Sequence, residues 1–251
     1  MSGTAPTGSA SAYGAELARA HHEGFGEMAR QAAATLLDAL GAAGYRRGVV
    51  VDLGSGSGIL TRLVTDAGFE GLGYDLSADM VRLASAYAPA ARFVQAAVLD
   101  ADIPPCVAVA AVGEVVNYAF DPRTDLDHLG RLVRRIRASL RPGGILLFDV
   151  AGPGRAGPAG RREAVVEADG WAIRSVSEED DGPAGPRLVR HIALVTADGT
   201  HRQETHVLRL YPPADVEAVL VDAGFDDVRR LSHYGNLELA PGLTAFLVEA
   251  V

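Results

Sequence analysis

Residues 49–58 read Val-Val-Val-Asp-Leu-Gly-Ser-Gly-Ser-Gly, and this stretch decides the fold. Three β-branched residues in a row suit a buried strand, and the glycine-rich turn behind them opens into a helical pattern over 59–67. Glycines at 54, 56 and 58 permit positive φ and let the backbone approach a ligand closely. A turn of this kind lies at the carboxyl end of a strand, where open α/β sheets bind their ligands. Asp75 closes the next apolar run, 71–75, and a carboxylate there accepts hydrogen bonds from both hydroxyls of a ribose. The spacing departs from the G-x-G-x-x-G of dinucleotide sites. The third glycine falls one residue early, at Gly58, and Ile59 stands where a small residue would let helix and strand pack. Asp52 also puts negative charge beside the turn, which disfavours a pyrophosphate and suits a ligand with an ammonium group.

Outward from this centre the same alternation continues. Apolar runs at 71–74, 92–95 and 107–112 are separated by helical patterns, and a helix over 126–140 is stopped by Arg141-Pro142-Gly143-Gly144 before the run at 145–150. Strands without polar alternation, joined by helices, indicate a parallel sheet covered on both faces. Upstream, 14–40 is helical, as one helix or as two broken near Gly24, with Leu17, His21, Phe25 and Met28 on one stripe. Downstream, the Gly/Pro linker 151–161 leads into period-2 segments. Trp171, Ile173 and Ser175 share one face, and Leu188, Ile192 and Leu194 share one face of a later strand. Asp198-Gly199 predicts a hairpin with both residues at positive φ, and 180–186 predicts a longer turn. Residues 162–211 therefore read as a small antiparallel sheet inserted into the parallel fold. A helix over 214–223, capped by Gly224, and strands near 228–232 and 243–248 complete the chain.

Composition narrows the function. The 251 residues carry 23 Lys plus Arg against 32 Asp plus Glu, a net charge of −9 that repels phosphate backbones and argues against nucleic acid. Cys106 is the single cysteine, so an intrachain disulfide is impossible and a cysteine zinc site is not expected. Residues 1–12 are small and polar without a basic start, so no signal peptide is expected. The longest apolar stretch, 106–113, is too short to span a bilayer. A cytoplasmic enzyme without membrane contact is the expectation, and a homodimer is left open.

At this point the sequence resembles the class I S-adenosylmethionine-dependent methyltransferases of the small-molecule type. Residues 50–58 (VVDLGSGSG) match the family's first motif and 73–84 (GYDLSADMVRLA) its ribose-binding motif. Residues 140–150 (LRPGGILLFDV) match its helix–turn–fifth-strand segment, and 211–225 (YPPADVEAVLVDAGF) its late helix. The resemblance implies an α/β fold: a Rossmann-like, doubly wound, seven-stranded, mostly parallel sheet whose seventh strand is antiparallel. It divides the chain into a flexible amino terminus (1–12), a cofactor-binding core (13–150 and 212–251) and an inserted antiparallel β lid (151–211). The implied cofactor is S-adenosyl-L-methionine and the implied reaction is methyl transfer to an N or O atom of a small molecule. An enzyme on the same scaffold that binds the cofactor but catalyses another reaction, such as a cyclisation, is the alternative.

Carried over by position, Asp52, Gly54, Ser55, Gly56 and Gly58 would surround the methionine moiety and Asp75 would hold the ribose. Leu76, Ser77 and Met80 would lie near the adenosine, with Val98, Gly113 and Glu114 completing the cofactor site. Gln95 is followed by Ala96, Ala97 and Val98, so the acidic residue many members place near the adenine amine is missing; Asp100 is the nearest carboxylate. The catalytic candidates are His21, Glu114, Asn117 and Tyr118, with Phe25, His206, Arg209 and Tyr211 as lid residues facing the acceptor. Glu114 reads equally as a base, an acceptor orienter or a cap for backbone amides. His21 reads equally as core or as acceptor-facing. His206 and Tyr211 point to opposite faces of their strand, so at most one of them faces the cleft. No metal is expected: His21 and His22 point about 100° apart on a helix, and 178–181 (Glu-Glu-Asp-Asp) reads as a solvated turn. Pro105-Cys106 is similar to the nucleophile of cytosine C5 methyltransferases, but it precedes the fourth strand and sits among apolar residues, which favours a core thiol.

Overall fold

A computed structural model describes residues 13–250; the flexible segment expected over 1–12 lies outside the described residues. Two amino-terminal helices, α1 (Ala15–Gly24) and α2 (Glu27–Ala42), break at Gly24 as one of the two sequence readings has it. Strands and helices then alternate through β1 (Val49–Leu53), α3 (Ile59–Asp66), β2 (Glu70–Asp75), α4 (Ala78–Tyr87), β3 (Arg92–Gln95), β4 (Cys106–Ala111), α5 (Leu126–Ser139) and β5 (Leu140–Ala151). Four longer strands follow: β6 (Arg161–Ala168), β7 (Trp171–Gly182), β8 (Gly185–Thr196) and β9 (His201–Arg209). After α6 (Pro213–Asp222) come β10 (Val228–Leu231), the small hairpin β11 (His233–Tyr234) and β12 (Leu237–Glu238), and β13 (Leu243–Ala250).

The main sheet has the order β10-β13-β5-β4-β1-β2-β3, and only β13 runs antiparallel to its neighbours. This is the Rossmann-like, doubly wound architecture expected from the sequence. Its centre is apolar because both faces are covered. Val51 and Leu53 of β1 face Leu132, Val133 and Ile136 of α5, while Val50 faces Ala32, Leu36 and Leu40 of α2, and all three β1 residues are fully buried. Helix entry is fixed locally. Ser77 caps α4 by accepting a hydrogen bond from the Met80 amide (3.2 Å), and Asp125 caps α5 by accepting one from the His128 amide (2.7 Å).

The second sheet, β6-β7-β8-β9, is antiparallel throughout. Trp171, Ile173, Ile192 and Leu194 pack against Leu17 and Ala20 of α1, and the Trp171 indole donates to Glu23 (2.6 Å). On its far side the sheet is stitched to the core. The Ala119 amide donates to the Val207 carbonyl and the Arg209 amide to the Asn117 carbonyl, each at 2.8 Å.

Several local expectations need correction. Residues 178–181 are strand, not turn: β7 and β8 stay paired to Gly182 and Gly185, and Asp180 pairs across the ladder with Arg187 (2.6 Å). Only Gly199 of the Asp198-Gly199 pair takes positive φ, so the connection spans 197–200 with Asp198 accepting from the Thr200 amide (3.0 Å). β5 pairs from Leu140, across a bulge, and not from Ile145. The β11–β12 hairpin was not legible, since two-residue strands carry no periodicity.

Asn117, a catalytic candidate by sequence, does not line the cavity and has its side-chain amide committed to backbone groups. Its side chain is fully buried, donates to the carbonyls of Ala151 (3.0 Å) and Arg209 (2.6 Å), and accepts from the Ala151 amide (3.0 Å). One amide thus ties together the points where the chain leaves and re-enters the core. Asn117→Ala should lower unfolding free energy by about 1–3 kcal/mol for each buried group left unpaired. Denaturant unfolding checks this, and an unchanged midpoint would contradict the role.

Candidate active site

A cavity of about 490 Å³ opens at the carboxyl edge of the main sheet and is closed over by α1 and the second sheet. Its core-side wall comes from the glycine turn and β2. Gly54 and Gly56 line it with φ of 69° and 51°, beside Asp75, Leu76 and Met80, and Val98 and Leu99 line it near the end of β3. A Cβ at Gly54 would fall 2.3 Å from Cγ1 of Val115, so this turn has to be glycine for the β1 and β4 loops to meet. A Cβ at Gly56 would meet nothing within 4 Å and would project from a cavity wall. Asp75 accepts from the amides of Gly56 and Ser77, each at 2.8 Å, which aims the carboxylate at the cavity with acceptor capacity to spare. Burial raises its pKa and those two amides oppose the rise.

Four expected cofactor residues stand behind this wall, and none of them lines the cavity. Asp52 is buried and receives the Thr61 hydroxyl (2.6 Å); desolvation pushes its pKa up to about 7. It secures the first turn of α3. Ser55 is buried with an unpartnered hydroxyl, and its amide donates to the Tyr74 carbonyl (2.8 Å). Gly58 caps α3 at φ 79°, where a Cβ would come within 2.9 Å of Phe93. Ser77 caps α4 and donates to the Tyr13 carbonyl (2.9 Å). Asp100 is exposed and ion-paired with Arg123 (2.6 Å), while Ala97, Val98 and Leu99 line the cavity in its place.

The opposite wall carries the ionisable groups. Leu17, His21, Phe25 and Met28, the single stripe read from the sequence, all line it. His21 stacks on Phe25 (ring centroids 5.3 Å) and meets the edge of Tyr13 (5.2 Å). Among the described residues nothing hydrogen-bonds its ring nitrogens. Burial first, then the charges of His206, His22 and Arg190, lower its pKa to about 4, so the imidazole is neutral at neutral pH. Gly113 and Glu114 line the cavity at the end of β4. Glu114 has φ 64°, unusual for a non-glycine residue, and it pairs with Arg155 and with Arg190 (3.0 Å). Burial opposes ionisation of Glu114, but the charges of Arg190 and Arg155 outweigh it and hold the pKa below the usual carboxylate value. The loop is held from beneath by buried Asp149, which accepts from the amides of Gly113 (2.9 Å) and Glu114 (2.6 Å) and from the Tyr234 hydroxyl (2.9 Å). Desolvation raises the Asp149 pKa to about 6 against those bonds. Tyr118 lines the cavity and shares a hydrogen bond with the Tyr13 hydroxyl (3.1 Å).

The expected lid residues divide. Phe25 lines the cavity. His206 is on the inner face of β9 but lies behind Tyr13, Tyr118 and Phe120, with its Nε2 on Glu204 (2.9 Å). Arg209 ends β9, and its backbone is taken up by Asn117. Tyr211 lies beyond the strand and packs with Val216, Leu220 and Phe225 in the core under α6. None of these last three lines the cavity, because the chain turns into the core after Arg209 instead of continuing over the cleft. Cys106 is fully buried and desolvation pushes its thiol up to about 12, which fits a core residue.

Sequence reasoning missed Tyr13, Asp149, Arg155, Arg162 and Arg190. Two signals were present. An aspartate interrupts the apolar run of β5, and Arg190 has the parity of Leu188, Ile192 and Leu194. Arg155 lies in a glycine-rich linker and carried no signal.

The profile of the methyltransferase domain family matches residues 25–230. The chain belongs to this family. No curated relative matches the sequence. Among solved structures it is similar to the CcbJ methyltransferase of Streptomyces caelestis, at 22% identity over 95% of this chain and 98% of that one, with a TM-score of 0.76. It is also similar to CalS10, an amino pentose methyltransferase of Micromonospora echinaspora determined with bound S-adenosylmethionine (19%, 93% and 96%, 0.73). The sugar N-methyltransferase KedS8 of a Streptoalloteichus species is a third (24%, 97% and 98%, 0.69). At these identities the likeness is one of fold. Family membership implies S-adenosyl-L-methionine, and the residues present fit it. Asp75 suits ribose hydroxyls, Gly56 leaves a close approach open, and Val98, Leu99 and Leu132 give the apolar flank a base needs.

Two substitutions test that fit by calorimetry with S-adenosylhomocysteine. Asp75→Ala should cost about 1.5–3 kcal/mol per lost charge-assisted bond, and unchanged affinity would refute the ribose assignment. Gly56→Val places a branched side chain at φ 51° and into the cavity, so it should fold and lose binding. Wild-type affinity in that variant would put the ligand elsewhere.

Proposed function

We propose that this methyltransferase moves a methyl group from S-adenosyl-L-methionine to a nitrogen or oxygen of a small molecule seated beneath the inserted sheet, with His21 accepting the proton the acceptor sheds. The observation that carries this reading is a neutral, unpartnered imidazole on a wall of the same cavity that Asp75 and Gly56 line. The fold shared with an amino pentose methyltransferase and a sugar N-methyltransferase supports a nitrogen acceptor on a small molecule.

When bound, the cofactor supplies an activated methyl group, which asks little covalent chemistry of the protein. What remains is alignment, exclusion of water and handling of one proton. Leu17 of α1, Phe25 at the link between the helices and Met28 of α2 give this wall an apolar surface that displaces water from above the cradle. The ring nitrogens of His21 have no hydrogen-bond partner among the described residues, and the imidazole is deprotonated at neutral pH. Its depressed pKa makes it a weak base, so it takes the proton as the new bond makes the acceptor acidic, and not from the resting acceptor. Glu114, with two guanidinium groups upon it, is a poor proton acceptor, and it serves instead to fix Arg155 and Arg190. Tyr118 and Tyr13 close the cavity toward β9.

His21→Gln should therefore cut turnover by about 10²–10⁴-fold while S-adenosylhomocysteine affinity is retained. The sign of the pH dependence follows from the depressed pKa: the base is present above about 4 and is lost as pH falls through that value. Full turnover by His21→Gln would remove His21 from the mechanism.

A further inference from the structure

The inserted sheet concentrates positive charge on the cavity. Cross-strand register pairs Arg162 of β6 with Ser177 of β7, and Ser177 with Arg190 of β8, so the three side chains form one row on the inner face. All three line the cavity, and Arg155 of the linker lines it beside them. Arg190 donates through Nε to the Ser177 hydroxyl (3.3 Å) and through a terminal nitrogen to Glu114 (3.0 Å). Arg155 reaches Glu114 through Nε. Arg162 pairs with nothing among the described residues. Three guanidinium groups thus face one carboxylate, which leaves two positive charges on this wall.

No other cavity carboxylate balances them. Asp75 stands on the core-side wall with its spare acceptors assigned to the ribose, Asp121 pairs with Arg123, and Asp125 serves the helix cap and His128. Asp149 lies beneath the β4 loop and accepts from backbone and Tyr234. Arg155 and Arg190 are largely withdrawn from water, at 13% and 17% side-chain exposure, so their spare donors have the cavity as an outlet. Arg162 and Arg190 stand two strands apart with Ser177 between them, a gap that an anionic group seated on the sheet can bridge. Planar guanidinium forks match carboxylate and phosphate oxygens with paired hydrogen bonds.

We propose that the methyl acceptor carries an anionic group, a carboxylate or a phosphate, which Arg162 and Arg190 hold across Ser177 with Arg155 beside them. This rests on the methyltransferase reading above and names the chemistry of its second substrate. The cluster belongs to the inserted sheet and its linker, whereas Asp75 and Gly56 belong to the main sheet's β2 and the turn after β1.

The test is calorimetric titration of the S-adenosylhomocysteine-loaded protein with inorganic pyrophosphate and with succinate, at fixed ionic strength and pH. Wild type should bind at least one of them, and the preferred anion assigns the group as phosphate or carboxylate. Arg162→Ala, on an exposed and unpartnered residue, should fold normally and weaken that binding by about tenfold or more while S-adenosylhomocysteine affinity stays unchanged. Glu114→Gln removes the competing carboxylate and should tighten anion binding, an effect of opposite sign to general damage. Cofactor binding without binding of either anion overturns the inference alone. So does an Arg162→Ala variant that loses S-adenosylhomocysteine and keeps the anion, since the cluster would then serve the cofactor. Failure of wild type to bind S-adenosylhomocysteine overturns the methyltransferase reading itself, and the inference with it.

Discussion

The buried carboxylate of Asp149 is the contact on which the site depends. A charge in the middle of an apolar strand is costly unless fully hydrogen-bonded, and here it accepts from the Gly113 and Glu114 amides and from the Tyr234 hydroxyl. Those amides converge on one acceptor only when both residues take positive φ, which Gly113 does freely and Glu114 at a cost of about 1–2 kcal/mol. Charge-assisted bonds of about 1.5–3 kcal/mol each offset that strain. The result is a loop whose next carboxylate, that of Glu114, points into the cavity and meets Arg155 and Arg190. One buried aspartate thereby fixes where the core presents charge to the inserted sheet.

The sheet would otherwise be a long antiparallel insertion joined at two chain crossings. Asn117 closes those crossings with its three hydrogen bonds, and Tyr13 closes the opposite side. The amides of Tyr13 and Gly14 donate to Glu204 on β9 (3.0 Å each), and the Tyr13 carbonyl accepts from Ser77 of α4. Ser77 in turn donates its amide to Asp75. The start of α1 is therefore linked through two residues to the carboxylate proposed to hold the ribose, and through one to the inserted sheet. Helix α1, the wall that carries Asp75 and the inserted sheet meet at a single tyrosine.

How much of this was legible follows from where the signals are local. Strand, glycine turn and Asp75 are specified within a short stretch, because burial on both faces demands an apolar run and close approach demands glycine. The stripe from Leu17 to Met28 is equally local, and it did face the cavity. Residues whose role depends on a distant partner were misplaced or missed. Asn117 looked like a substrate contact because a polar residue after the fourth strand often is one. Its partners, Ala151 and Arg209, are 34 and 92 positions away. Arg209 and Tyr211 were assigned by strand parity, which fails once β9 ends at Arg209 and the chain dives under α6. Asp52 is in the expected place, but its carboxylate turns inward to Thr61, a choice that the spacing alone does not fix.

The electrostatics of the cavity bear on a choice the sequence left open, between Glu114 and His21 as base. Both lie on the cavity wall, and burial alone would push both toward their neutral forms. The charge of Arg190 acts on both in the same direction: it is the leading charge that holds Glu114 ionised, and for His21 it adds to burial behind the charges of His206 and His22. Glu114 is thereby an ion-paired anion of low basicity, and His21 is a neutral imidazole whose basicity is lowered as well but whose ring nitrogens make no hydrogen bond among the described residues. What distinguishes the two is partnership: the glutamate is held by two arginines, and the imidazole is the one left open to the proposed proton.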